Sequence, residues 1–238
     1  MVITETKLND PATHASLSIA GYQLFRQDRT RHGGGVAIYI ANGLRPVALI
    51  DVQQYASSNG LEAVLVSISL LGKKDKVTIL GLYRPPNSKA AWFDSFNDVI
   101  LRLIQLGPMI ILGDLNCDLM KPNMYPAKSL LASLALAGTK VPKTLATRTS
   151  MQSATSIDVI AIDKNLQCIY YFVSDNAASD HMPVMAAIKG SLMDKILSVS
   201  KRSFRKLISI SYIIALSPSI CRTASTPSMK YLTIGTRR

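Results

Sequence analysis

The residues best able to do chemistry stand at the ends of short apolar runs. Ile110-Ile111-Leu112-Gly113 reads as a buried strand ending in glycine, after which Asp114 and Asn116 present a carboxylate and an amide two positions apart. The C-terminal edge of a strand is where α/β sheets place ligands, although an Asx turn closing the strand would use the same residues. Asp180-His181 precedes the apolar run Val184–Ile188. An acid beside an imidazole can supply a metal-linked carboxylate and a general base. Asp158 lies inside the run Ser156–Ile160, where an unpaired charge is costly and must be satisfied. A histidine is its natural partner, and capping of a strand edge is the alternative. Glu5 follows Ile3-Thr4 and could bind a hard cation, while Tyr83 ends a strand before Pro85-Pro86 and reads as an aromatic packed on that rigid loop.

Other polar groups carry less. Arg31-His32-Gly33-Gly34-Gly35 invites a phosphate-cradle reading, but no helix follows it, which excludes a P-loop. Its glycines suit a tight turn into a strand. His14 and His32 lack acidic company at metal spacing and read as surface residues. Cys117, Cys168 and Cys221 form no CxxC pair, so neither a zinc site nor a disulfide framework is supported and the thiols read as intracellular.

The elements that must position these groups follow from periodicity. Strands are predicted over Val36–Ile40, Ala63–Leu70, Val77–Leu82, Met109–Leu112, Ile157–Ile162 and Val184–Ile188, with a hairpin turn at Gly72–Lys76. Trp92–Leu106 has apolar residues at helical spacing and is stopped by Gly107-Pro108, and Lys128–Ala137 reads as a second helix. Strands outnumber helices and no repeat is present, which predicts a layered α/β domain.

With 238 residues, 48% of them hydrophobic, the chain can bury a full core. No apolar stretch approaches the roughly 20 residues of a membrane span, and the N-terminus lacks a signal peptide's apolar run. A soluble, non-secreted protein of the nucleus or cytoplasm is expected, with no membrane partner. The net charge of +12 suggests nucleic acid. However, residues 191–238 hold nine Lys and Arg against one acid, leaving the body at only +4. Residues 208–238 contain no acid and ten Ser or Thr, the composition of a disordered basic tail.

The order of the motifs says more than any one of them. ITET, RHGGGVAIYI, GLYRPPNS, IILGDLNCD, TRT followed by SIDVIAI, and SDHMPV together resemble the endonuclease/exonuclease/phosphatase superfamily. More narrowly, they resemble the apurinic-type endonuclease domain of non-LTR (LINE-like) retrotransposons. The resemblance covers about residues 2–190 and implies a domain over 1–190 with a four-layer α/β/β/α sandwich fold. It also implies Mg²⁺-dependent hydrolysis of a phosphodiester, with Mn²⁺ as a substitute, acting as nicking of DNA without a small-molecule cofactor. By that resemblance Glu5 would hold the metal, with Asp180 beside it. Asp114 would orient or deprotonate the attacking water, and Asn116 would hydrogen-bond the scissile phosphate. His181, oriented by Asp158, would stabilise the phosphate's growing charge or act as the base, and Tyr83 would contact the phosphate. Thr147 and Arg148 would face the DNA backbone. A phosphatase of lipid or inositol headgroups on the same fold, and a non-catalytic nucleic-acid-binding remnant, are the alternatives.

Two departures accompany the resemblance. The family places a core strand and helix, with a metal-site asparagine, ahead of the segment equivalent to ITET. Here Met1 stands directly before it, so an open sheet edge, impaired folding and weak or no nuclease activity are expected. In relatives, a basic segment like Lys201–Leu207 continues into an acidic, aromatic connector toward a reverse transcriptase. The stretch Ser225–Gly235, in shifted codons, permits such a connector, so residues from about 208 are expected to be out of frame, with simple divergence as the alternative. Genomic DNA lacking the acidic connector in the other frame would dispose of that reading.

Overall fold

The computed structural model describes residues 1–8, 14–69, 76–175 and 179–189, and the backbone of 212–217. The predicted hairpin turn and the rest of residues 191–238, Cys221 included, lie outside the described residues.

Two six-stranded sheets face each other. The first contains β1 (Val2–Thr4), β2 (Tyr22–Gln27), β3 (Val36–Ala41), β12 (Cys168–Val173), β13 (Val184–Lys189) and β14 (Tyr212–Ser217), in the order β12-β13-β14-β1-β3-β2. The second contains β4 (Val47–Ala48), β5 (Glu62–Ser69), β6 (Lys76–Tyr83), β7 (Met109–Asp114), β8 (Thr139–Lys140) and β11 (Asp158–Asp163), in the order β4-β5-β6-β7-β11-β8. A two-stranded ribbon, β9 (Arg148–Thr149) with β10 (Ala154–Thr155), stands apart. Helices α2 (Ile50–Ser58), α3 (Ala91–Leu103) and α4 (Ala127–Leu136) cover the outer face of the second sheet, and the short α1 (His14–Leu17) lies on the side of the first. The result is the expected four-layer α/β/β/α sandwich.

Strand alternation builds it. Successive side chains of a strand point to opposite faces. Met109, Ile111, Val159 and Ala161 join the cluster under the helices, whereas Ile110, Leu112, Ile160 and Ile162 join the cluster between the sheets. Helix α3 buries Trp92, Phe93, Phe96, Val99, Ile100 and Leu103 along one face, each large side chain contributing about 1.5–3 kcal/mol. Gly107 then ends the helical run at φ 110°, a conformation that favours glycine. Between the sheets, a Cβ at Gly81 would meet Ile38 and Val2, so this glycine permits their close approach.

The sequence predicts an open edge beside β1. In the structure that place is taken by β14, which runs parallel to β13 through six residue pairs and meets β1 at Val2 and Tyr212. The run Tyr212–Ser217 is short and mostly apolar, and such a run does not declare itself by periodicity.

Among the glycines of the described residues, Gly113 carries the tightest steric constraint. A Cβ there would fall on the backbone carbonyl of Leu82, within the buried contact of β6 with β7. We expect Gly113→Ala to cost more than about 3 kcal/mol, measured by urea unfolding followed by circular dichroism. An unchanged midpoint would refute this reading of the contact.

Candidate active site

Asp114 ends β7 and Asp158 begins β11, and the two are direct partners in the antiparallel register. Alternation puts both on the face turned toward the first sheet, in line with Ile110, Leu112, Ile160 and Ile162. Both are buried, at 2% and 1% exposure. Like charges directly opposite one another repel, and at this depth they demand a cation. His181, just ahead of β13, supplies part of it, with Nδ1 lying 3.0 and 3.2 Å from the two carboxylate oxygens of Asp158. With Nδ1 engaged by Asp158, Nε2 is the ring nitrogen left for other chemistry.

Ligand atoms of Asp114, Asp158 and His181 all fall within 4.8 Å of one another. Two buried carboxylates and an imidazole suit a divalent cation of oxygen and nitrogen preference. Burial, then the charge of Asp158, pushes the Asp114 carboxyl up to about 7, while His181 and the Asn116 amide oppose the rise. A carboxylate so short of positive charge is what a metal ion would relieve. For His181, burial opposes protonation, but the hydrogen bond and charge of Asp158, with Asp114 and Asp180 adding to them, raise its pKa above the ordinary value.

A cleft of about 240 Å³ opens over this cluster, lined by Glu5, Pro86, Asp114, Asn116, Arg148, Asp180 and His181. Glu5 enters from the end of β1 with a left-handed φ of 50°, an uncommon conformation for a non-glycine residue and one that clusters at functional sites. Tyr83 continues the face of Val77 and Ile79 toward the first sheet, and its hydroxyl donates to Glu5 Oε1 at 2.5 Å. Burial first, then that hydrogen bond, keeps the Tyr83 phenol protonated far above its usual range. Asn116, also left-handed at φ 46°, donates its backbone N–H to Asp114 Oδ1 at 3.1 Å and its side-chain Nδ2 to the Arg84 carbonyl at 2.9 Å.

The structure gives several of these residues partners that the sequence reading did not assign. Asp180, expected beside a metal, accepts a hydrogen bond from Arg148 Nε at 2.6 Å. Partial burial works against its charge, but Arg148 holds the carboxyl below its ordinary value. Asp180 and Glu5 both line the cleft, yet neither belongs to the tight three-residue cluster found among the described residues. Thr147, expected to face DNA, is 1% exposed. Its hydroxyl accepts the N–H groups of Ile157 and Asp158 at 3.1 and 3.0 Å, and its carbonyl accepts that of Met182 at 2.6 Å. It braces the Asp158 and His181 segments instead, because a buried hydroxyl among unpaired backbone donors is more useful there than at the surface. Arg148 does reach the cleft. Tyr83, expected at the phosphate, donates its hydroxyl to Glu5. Arg84 and Pro86 had no assigned role in the sequence reading; the signal for Arg84 was a cation set between an aromatic and two prolines.

Residues 1–181 match the model of the Endonuclease/Exonuclease/phosphatase family, and the chain belongs to that family. Solved structures with the same fold include the endonuclease domain of TRAS1, a telomere-specific non-LTR retrotransposon. It is 17% identical at a TM-score of 0.53, over 68% of this chain and 76% of that one. The 3′ phosphatase NExo from Neisseria bound to a product DNA hairpin is 16% identical at a TM-score of 0.57, over 80% and 88%. A 3′-5′ exonuclease from Neisseria meningitidis is 17% identical at 0.52, over 77% and 86%. No curated protein sequence matches significantly. Among the described residues, no helix is long and apolar enough to cross a membrane.

The site makes the metal-free fold sensitive to pH. Asp114 has an ordinary value of 3.8 and a folded value of about 7, so the folded chain binds this proton more tightly and loses relative stability as pH rises between them. His181 acts in the same direction. Its contribution is complete below an ordinary value of 6.5 and disappears as pH climbs through the raised folded value. In chelator-treated protein we expect Tm to fall as pH rises from about 5 to about 8. Asp114→Asn should flatten that fall and raise Tm at the upper end. A wild-type profile no steeper than the variant's would contradict it.

Proposed function

We propose that this chain is a divalent-metal-dependent phosphodiesterase acting on DNA, a nicking domain of the non-LTR retrotransposon type. The single observation that carries the reading is the Asp114–Asp158–His181 cluster beneath a polar cleft, on a fold shared with DNA-processing enzymes. Mg²⁺, or Mn²⁺ in its place, would be held by Glu5 with Asp180 beside it, where its charge would offset the Asp114–Asp158 pair, and when bound would polarise the phosphoryl oxygens.

The chain's own groups supply the rest. Asp114, which lines the cleft, takes a proton from the attacking water. Water's oxygen bonds to phosphorus as the bond to the 3′ oxygen breaks, and that oxygen leaves with a proton from solvent. His181, kept cationic by Asp158, meets the charge growing on the phosphate. Asn116 donates its second Nδ2 hydrogen to a non-bridging oxygen. Arg148 exchanges Asp180 for a backbone phosphate, positioning the strand without reading its sequence. Tyr83 orients Glu5 through the 2.5 Å hydrogen bond.

The assembled residues are the ground for proposing turnover, and the weak or absent activity expected from the sequence is the opposite outcome of the test. The test is nicking of supercoiled plasmid by the full chain with Mg²⁺. His181→Ala should lower the rate by about 100-fold or more, and chelation should abolish nicking. Salt-sensitive DNA binding without cleavage would point to a non-catalytic remnant, and phosphate release from inositol or lipid headgroups with no nicking would point to a phosphatase.

A further inference from the structure

Arg84 is the largest fully buried side chain that carries a charge, at 1% exposure, and no carboxylate pairs with it among the described residues. Burying a cation without a counter-ion is costly, and an apolar residue would fill the same space more cheaply. Its surroundings show where the charge is directed. The guanidinium lies against Trp92 and Phe93, 5.6 and 5.3 Å from the ring centroids, a placement whose cation–π attraction is strongest when water is excluded. Its N–H groups donate to two backbone carbonyls, Nη2 to Ser88 at 3.0 Å and Nη1 to Asn116 at 3.5 Å.

The main chain of Arg84 engages the same turn. Its N–H donates to the Asp114 carbonyl at 2.9 Å, and its carbonyl accepts Asn116 Nδ2 at 2.9 Å. Asp114 and Asn116 are thus held from one residue by three hydrogen bonds, two from its backbone and one from its side chain. Because one Nδ2 hydrogen is committed to the Arg84 carbonyl, the direction of the Asn116 amide depends on that carbonyl's direction. The guanidinium of the same residue is anchored by the aromatic rings and the Ser88 carbonyl. Asn116 itself is left-handed, at φ 46°, a conformation that surrounding contacts must maintain.

We propose that Arg84 is a positioning residue, a buried cation that clamps the Asp114–Asn116 turn and sets the angle at which the Asn116 amide faces the cleft. Lysine cannot substitute, because a single ammonium lacks both the fork that reaches two carbonyls and the flat face that stacks on the rings. The proposal rests on the reading of Asn116 as a phosphate-binding group for its effect on rate, but its structural half stands without that reading.

The test uses the full chain labelled with ¹⁵N, with the Asn116 side-chain NH₂ pair assigned by its loss in Asn116→Ala. In the wild type the pair should be shifted from free-amide values and slow to exchange with solvent. In Arg84→Met and Arg84→Lys it should move to free-amide values, while the backbone amides of Ile157 and Asp158, held by Thr147, stay in place. Emission of Trp92, the one tryptophan of the chain, should change in Arg84→Met. In nicking assays both variants should lose about 100-fold in kcat with KM little changed, and Arg84→Met should cost nothing further in the Asn116→Ala background. An unmoved Asn116 pair, or additive losses in the double variant, overturns the proposal. If Arg84→Met does not fold, Arg84→Lys carries the same readouts. A moved pair in a chain whose wild type never nicks DNA upholds the clamp and sinks the functional reading instead.

Discussion

Two aspartates that face each other across a pair of hydrogen-bonded strands set the terms for this fold. Asp114 and Asp158 are register partners, and both are buried. Coulomb repulsion at such depth is far larger than at a surface. The strands stay in register because a proton raised onto Asp114 or other groups compensate. His181 bonds one carboxylate, the Asn116 backbone bonds the other, and a cation-binding cleft opens above both. The chemistry of the site and the electrostatic problem of the sheet are the same arrangement.

The loops around the pair hold it with side-chain oxygens. Thr147 receives the first two amides of the Asp158 segment, and Asp118 Oδ1 receives those of Met120 and Ser156 at 3.1 Å each. On the other flank, Glu62 accepts the Gly35 amide at 2.8 Å and pairs with Arg29, so the glycine run after His32 is a strand entry held by a carboxylate. Its glycines are needed there: a Cβ at Gly34 or Gly35 would collide with Glu62 and Arg29 or with Thr6.

Much of this was legible because alternation and helical spacing are strong signals. The run Met109–Leu112 is extended by two residues to Asp114, and the helix expected at 92–106 forms over Ala91–Leu103 before tightening into a 3₁₀ turn. Elements without such a signal were not read. Helix α2 mixes polar and apolar residues with a single buried side chain, Ala56, and no side-chain cap. Strands β2 and β12 lie at the sheet edges and are mostly half exposed, so solvent, not a core, chose their residues. At the site, residue types were readable but burial was not. Thr147 looked like a surface contact, whereas the fold encloses it, and the pairing of Asp180 with Arg148 was not foreseen. Which charges meet depends on loop paths that single motifs do not encode.

The hydrogen bond between Tyr83 and Glu5 joins one sheet to the other through residues 78 positions apart, against 23 for Asp158 with His181 and 32 for Arg84 with Asn116. Loop-closure entropy grows with that separation, and contacts of long range form late when a chain folds. The site therefore matures in an order. Its two aspartates come together as β7 and β11 pair, whereas His181 and Glu5, which flank β13 and β1 of the first sheet, arrive only when the two sheets have docked. Affinity for a divalent ion becomes a gauge of that last event, and a chain caught before it would hold metal weakly through an incomplete set of ligands.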